Sequence, residues 1–154
     1  ISAAMQESDA LIGGESSGGL TVRGHILGKD GLYAASLLVE VISKTGQPLS
    51  RLIGEMYARY GACAMVERDF ALTEDSRAAI HQLLMVDKAL PDFARSQTRV
   101  SYEDGCKVYF GDSAWVIARF SGTEPRIRVF AEGETREEAA RLADRMQRFI
   151  GINP

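Results

Sequence analysis

Between residues 98 and 132 four short runs rich in β-branched and aromatic residues follow one another with barely a gap: 98–103, 106–110, 114–120 and 127–132. Such residues favour the pleated backbone of a strand. Asp104-Gly105 is a hairpin turn signal between the first two runs, and Gly111-Asp112 joins the next pair. Helical patterns flank this block. Thr73 is a good N-cap for a helix from Glu74 to about Lys88, with Ile80, Leu83 and Leu84 on its buried stripe. Thr135 and Glu138 form a capping box, in which hydroxyl and carboxylate satisfy backbone N–H groups left over at a helix start. Ala139, Leu142, Met146 and Phe149 or Ile150 then mark one apolar face. Helix, four strands and helix describe an α+β domain, a four-stranded antiparallel meander packed on helices.

Residues 1–62 read differently. The apolar run 10–13 stops at glycines, as a buried strand ending in a loop would, and 20–26 offers a second extended piece. Residues 29–44 carry Leu32, Ala35, Leu38, Val39 and Ile42 at helical spacing, with Gly46 as the stop. After Pro48 a second helix runs through Leu52, Ile53, Met56 and Tyr60 to Gly61, and 65–72 is a connector of extended character. This is too little sheet to close a core. The expected organisation is the trailing half of an α/β domain over 1–62 followed by the small domain over 63–154. Bare apolar helix faces or a strand edge in the first part would promote self-association.

Hydrophobic residues make up 45% and charged residues 25%, an ordinary globular balance. A net charge of −3 argues against a nucleic-acid partner, whose phosphates reward a basic face. An anionic small molecule stays open, because a few converging arginines bind one inside an acidic protein. The most apolar run, 33–42, contains Glu40 and is too short to span a bilayer, so no membrane role is expected. Cys63 and Cys106 are far apart, giving neither a disulfide framework nor a zinc site and fitting a reducing cytoplasm. The chain begins Ile-Ser-Ala-Ala-Met without an initiator methionine, which reads as a piece of something longer.

Two loops carry chemistry. In Arg119-Phe120-Ser121-Gly122-Thr123-Glu124-Pro125-Arg126-Ile127-Arg128 two hydroxyls and a glycine lie between flanking arginines. Glycine lets backbone N–H groups converge on an anion, and guanidinium groups add charge-assisted bonds of roughly 1.5–3 kcal/mol each. A phosphate site and a tight hairpin with solvated arginines both fit that stretch. Gly14-Glu15-Ser16-Ser17-Gly18-Gly19 sets a carboxylate and a hydroxyl two residues apart at a strand end, where open α/β sheets place their ligands. Taken alone, a glycine-rich linker fits it as well.

Together the loops are specific. The stretch 13–19, followed by Arg23-Gly24-His25-Ile26 and Lys29-Asp30-Gly31, closely resembles the sugar-binding segment of α-D-phosphohexomutases. Residues 119–128 resemble that family's C-terminal phosphate-binding loop, and the resemblance covers essentially the whole chain. It implies a small domain of TATA-box-binding-protein-like fold. It also implies that Glu15 and Ser17 bind sugar hydroxyls and that Arg119, Ser121, Gly122, Thr123 and Arg128 hold the phosphate that is not being transferred. Lys29 matches a lysine near the family's active site and would assist proton or charge handling; its other reading is a solvated amine at a helix start. His25 reads as structural and Arg126 as solvent-exposed.

The Gly-Glu-x-Ser-Gly-Gly ending resembles the phosphoglucomutase branch, which interconverts glucose 1-phosphate and glucose 6-phosphate. The resemblance implies an intramolecular phosphotransferase using a phosphoserine, glucose 1,6-bisphosphate as intermediate, and Mg²⁺. Neither the nucleophile segment nor the metal loop is found in this chain. The acidic pairs Glu67/Asp69, Glu74/Asp75 and Glu137/Glu138 read as a connector and two helix starts, so no metal ligand is assigned. The partners implied are a phosphosugar and the N-terminal domains of the same protein, and the chain alone should be catalytically silent. Two alternatives stay open: a mutase for mannose or glucosamine phosphates, and a non-enzymatic interaction module.

Overall fold

A computed structural model describes residues 1–15, 18–111 and 113–152. The chain divides into two compact units, Ile1–Tyr60 and Gly61–Pro154.

The first unit opens with α1 (Ser2–Ser8), a short helix that the sequence pattern does not announce. Asp9 ends it in the left-handed region at φ 49°, held there by Arg23, whose guanidinium pairs with the Asp9 carboxylate at 2.6 Å. Strands β1 (Ile12–Gly14) and β2 (Leu20–Val22) form an antiparallel hairpin around the glycine-rich loop, with Gly13 opposite Thr21. Space at Gly13 is tight: a Cβ there would lie 2.5 Å from Met5 Sδ and 2.6 Å from Ile1 Cγ2, so those side chains would have to move. Helix α2 (Gly31–Thr45) starts where Asp30 accepts the Tyr33 amide at 3.0 Å and stops at Gly46, φ 62°. Helix α3 is Leu49–Tyr60.

Both helices lie where their spacing predicts, but their apolar stripes are uncovered. Leu32 is 85% exposed and Val39 65%, and neither helix has a buried residue. The run at β1 is likewise not buried as expected, since Leu11 and Ile12 both stand exposed. A two-stranded hairpin has too little surface to cover two helices, and Met5 is the one core-forming apolar side chain among the described residues of this unit.

The second unit is built on one antiparallel sheet of order β3-β7-β6-β5-β4. Its strands are β3 (Ala64–Ala71), β4 (Arg99–Ser101), β5 (Cys106–Phe110), β6 (Ala114–Phe120) and β7 (Arg126–Gly133). The sheet has five strands rather than four, because the supposed connector at 65–72 is a full edge strand. It pairs with β7 from Ala64 opposite Gly133 to Ala71 opposite Arg126. Val66, Arg68 and Phe70 turn one way while Glu67 and Asp69 turn the other, and outward charges are usual at a sheet edge. The turn at Gly105 forms as expected, at φ 103°. Of the Gly111-Asp112 turn only Gly111, at φ 70°, lies within the described residues.

Helix α4 (Glu74–His81) is capped by Thr73, but the cap is reciprocated by Ser76, and the helix relaxes into a π turn, Gln82–Val86, instead of running to Lys88. Helix α5 (Arg136–Phe149) has Thr135 accepting the Glu138 amide at 3.2 Å. The Glu138 carboxylate reaches one residue further back than a capping box needs, taking the Glu134 amide at 2.9 Å, and also binds Arg95. Strand alternation sends Cys106, Val108, Phe110, Val116, Ala118, Ile127 and Val129 to one face, each at most 1% exposed. Ile80, Leu84, Ala139, Leu142, Met146 and Ile150 cover them from the helices.

Candidate functional site

In the second unit the stretch 119–128 is the hairpin joining β6 to β7. Arg119 lies directly opposite Arg128 across that pair. Both belong to the face turned away from the core, since Ala118, Ile127 and Val129 beside them are buried. Side chains so paired sit about 4.5–5.5 Å apart at Cβ, and like charges there are destabilising. The fold thus keeps two cations side by side at the mouth of a loop, and carboxylates from three separate segments offset them. Asp104 reaches Arg119 Nε at 3.1 Å. Asp69, opposite Arg128 in β3, reaches Arg126 Nε at 2.8 Å and Arg128 Nε at 3.7 Å. Glu124, inside the loop, lies 3.7 Å from Arg128 Nη2.

Arg126 is therefore engaged rather than solvated: its side chain is 36% exposed, and the Asp69 hydrogen bond, then the Asp69 charge, push its guanidinium pKa up. The loop is closed by Ser121, whose amide donates to the Arg126 carbonyl at 2.9 Å. Ser121 Oγ accepts the Thr123 and Glu124 amides at 3.4 and 3.3 Å, so these two N–H groups converge on the hydroxyl. A Cβ at Gly122 would meet no atom, which leaves open space beside the hydroxyls. Asp69, Asp104 and Glu124 were not singled out by the sequence. Asp104 carried a signal only as a turn residue, and Asp69 only as half of an acidic pair; strand register is what brings Asp69 to the arginines.

In the first unit the hairpin loop closes through the Glu15 amide, which donates to the Gly19 carbonyl at 2.9 Å. Lys29 Nζ lies 2.5 Å from Glu15 Oε2. It reaches that point by lying across Gly19, where a Cβ would come within 2.7 Å of Lys29 Cδ. The two sequence-predicted residues Glu15 and Lys29 are thus brought together at a cleft of about 170 Å³ that Thr21 and Gly28 also line. Ser17 lies outside the described residues. His25 Nε2 is 2.9 Å from Asp30 Oδ2, and its ring stacks on Tyr33 at 4.0 Å. The Tyr33 amide first, and His25 second, hold the Asp30 carboxyl below its ordinary pKa, so His25 braces the start of α2.

Among the described residues no three His, Cys, Asp or Glu side chains gather as metal ligands would. No described helix is long and apolar enough to cross a membrane.

Comparison with known proteins follows the same two units. Residues 1–60 match the family profile "Phosphoglucomutase/phosphomannomutase, alpha/beta/alpha domain III", and residues 65–148 match "Phosphoglucomutase/phosphomannomutase, C-terminal domain". A phosphoglucomutase/phosphomannomutase of Thermococcus kodakarensis is 34% identical over 90% of this chain and 28% of its own length. A phosphoglucosamine mutase of Nitratidesulfovibrio vulgaris is 33% identical over 96% of this chain, again 28% of the relative. A crystal structure of a phosphoglucomutase/phosphomannomutase family protein from Burkholderia thailandensis superposes with a TM-score of 0.69 at 25% identity, covering 99% of this chain and 31% of that one. The chain spans somewhat over a quarter of the length of these relatives. Its two matched segments and its fold agree: the chain belongs to the phosphoglucomutase/phosphomannomutase family.

Proposed function

We propose that the chain supplies the sugar-reading and phosphate-holding parts of a phosphohexomutase acting between glucose 1-phosphate and glucose 6-phosphate. One observation carries this reading, the facing pair Arg119 and Arg128 at the mouth of the Ser121-Gly122-Thr123 bend. A phosphate there takes the place that the Asp104, Asp69 and Glu124 carboxylates now share in offsetting the two facing cations. Ser121 and Thr123 hydroxyls donate to its oxygens, and Gly122 leaves it room. In the first unit Glu15, with Ser17, accepts from sugar hydroxyls and so reads their stereochemistry. Lys29, whose Nζ lies 2.5 Å from Glu15 Oε2, orients that carboxylate and assists proton or charge handling beside the sugar.

Glucose as the sugar rests on the Gly-Glu-x-Ser-Gly-Gly ending of the first loop. The glucosamine alternative is favoured by the likeness to the N. vulgaris phosphoglucosamine mutase. Phosphoserine, a bisphosphorylated sugar and Mg²⁺ belong to the whole enzyme's cycle, and no step of it is assigned to residues of this chain beyond binding and proton or charge handling. The 154-residue chain alone is accordingly without turnover.

The test is a phosphate titration followed by the amide signals of residues 121–123. Saturation on the order of millimolar, about −4 kcal/mol, is expected. Arg128→Ala should weaken it by about 1.5–3 kcal/mol, the worth of a bond to a charged group. An unmoved spectrum overturns the phosphate site.

A further inference from the structure

We propose that Asp69, on the edge strand β3, is a positioning residue that sets the guanidinium groups of Arg126 and Arg128 for an anion in the hairpin loop. The inference rests on the phosphate reading given above. Arg126 and Arg128 are two apart on β7, so they share a face, and Asp69 stands opposite Arg128 on the neighbouring strand. Its two oxygens divide between them: Oδ1 takes Arg126 Nε at 2.8 Å and Oδ2 faces Arg128 Nε at 3.7 Å. Both contacts are made at Nε, the root of the fork. Arg126 is hydrogen-bonded there, Arg128 is held at ion-pair distance, and the Arg128 Nη2 end faces Glu124 in the loop at 3.7 Å. A planar guanidinium steered at Nε by a carboxylate has lost some of its rotational choice, so less entropy remains to be lost when the far end meets an anion. The three side chains are only 35–36% exposed, so the arrangement is part of the sheet surface rather than a loose tip.

A mere counter-charge makes the opposite prediction, because removing a negative group near an anion site raises anion affinity. The experiment titrates inorganic phosphate into the 154-residue chain and its Asp69→Asn variant at equal ionic strength. It follows the amides of residues 121–123 and the Nε–Hε signals of Arg126 and Arg128. Positioning requires a fall in affinity of about fivefold or more, the loss of roughly one net hydrogen bond, and a shift of the Arg128 Nε–Hε signal before any phosphate is added. Unchanged or tighter binding by Asp69→Asn overturns the positioning role while leaving the phosphate site intact. Absence of shifts in the unsubstituted chain overturns the phosphate site and this inference with it. Should Asp69→Asn lose the fold, Asp69→Glu carries the test. Its longer carboxylate keeps the charge but moves the grip, so positioning requires weaker binding and a counter-charge requires none.

Discussion

On the phosphate site proposed above, Glu124 occupies ground that an incoming anion needs, and replacing it by glutamine should tighten phosphate binding. Its Oε2 lies 3.7 Å from Arg128 Nη2. At that separation two unit charges in water attract by about 1 kcal/mol, and the figure rises as water is excluded. The Glu124 side chain is 56% exposed and Arg128 36%, so solvent screening keeps the pair near the surface range of about 0.2–1 kcal/mol. Removing the competitor should therefore raise phosphate affinity about 1.4- to 5-fold. The loop itself should survive. Glu124 contributes its amide to Ser121 Oγ and its carbonyl to the Arg126 amide, and glutamine retains both. The assay is the same amide titration at low ionic strength, repeated near 1 M salt, where a screening length of about 3 Å should shrink the difference between the two chains. Equal or weaker binding by Glu124→Gln at low salt would refute the idea that this carboxylate stands in for the ligand.

Two predictions concern the scaffold. A Cβ on Gly105 would lie 2.5 Å from the Ala118 carbonyl oxygen at a φ of 103°, and backbone cannot retreat as a flexible side chain does. Gly105→Ala should therefore cost about 2 kcal/mol or more, read as a lowered urea midpoint at unchanged slope; an unchanged midpoint counts against the tight turn. Burial pushes the Cys106 thiol from 9.0 up to about 11. The folded state thus favours the neutral thiol, and that stability is whole below pH 9 and lost as pH rises from 9 to 11. The loss should reach roughly 2–3 kcal/mol at about 1.4 kcal/mol per unit. Urea melts across that range should show the wild-type curve falling more steeply than that of Cys106→Ala, and parallel curves would contradict the assignment.

What could be read from the sequence was whatever depends on near neighbours. Ala139, Leu142 and Met146 announce α5 because a helix buries one side through residues three and four apart. Gly46 and Asp30 bracket α2 for equally local reasons. Strand β3 was harder, since Glu67 and Asp69 interrupt its apolar residues and only the adjacent β7 explains the alternation. The same register joins Asp69 to Arg126, 57 positions away, a contact no spacing rule anticipates. The Arg119 and Arg128 pair was legible as chemistry but not as geometry: the motif named both residues, while their face-to-face placement needed the strand pairing. The uncovered stripe of α2 shows the limit from the other side. Helical spacing identified Leu32 and Val39 as residues that prefer burial, and spacing is silent on whether a covering surface exists.

The alternation along β6 and β7 has a wider consequence. Odd and even positions answer to different demands, one set to packing and the other, on the phosphate site proposed above, to the ligand. Substitutions among the inward residues should alter how firmly the domain holds together without rewriting what it grips, and changes among Arg119, Arg126 and Arg128 should do the reverse. On that reading a lineage built on this hairpin is free to retune the proposed anion site one residue at a time while its interior stays as it is.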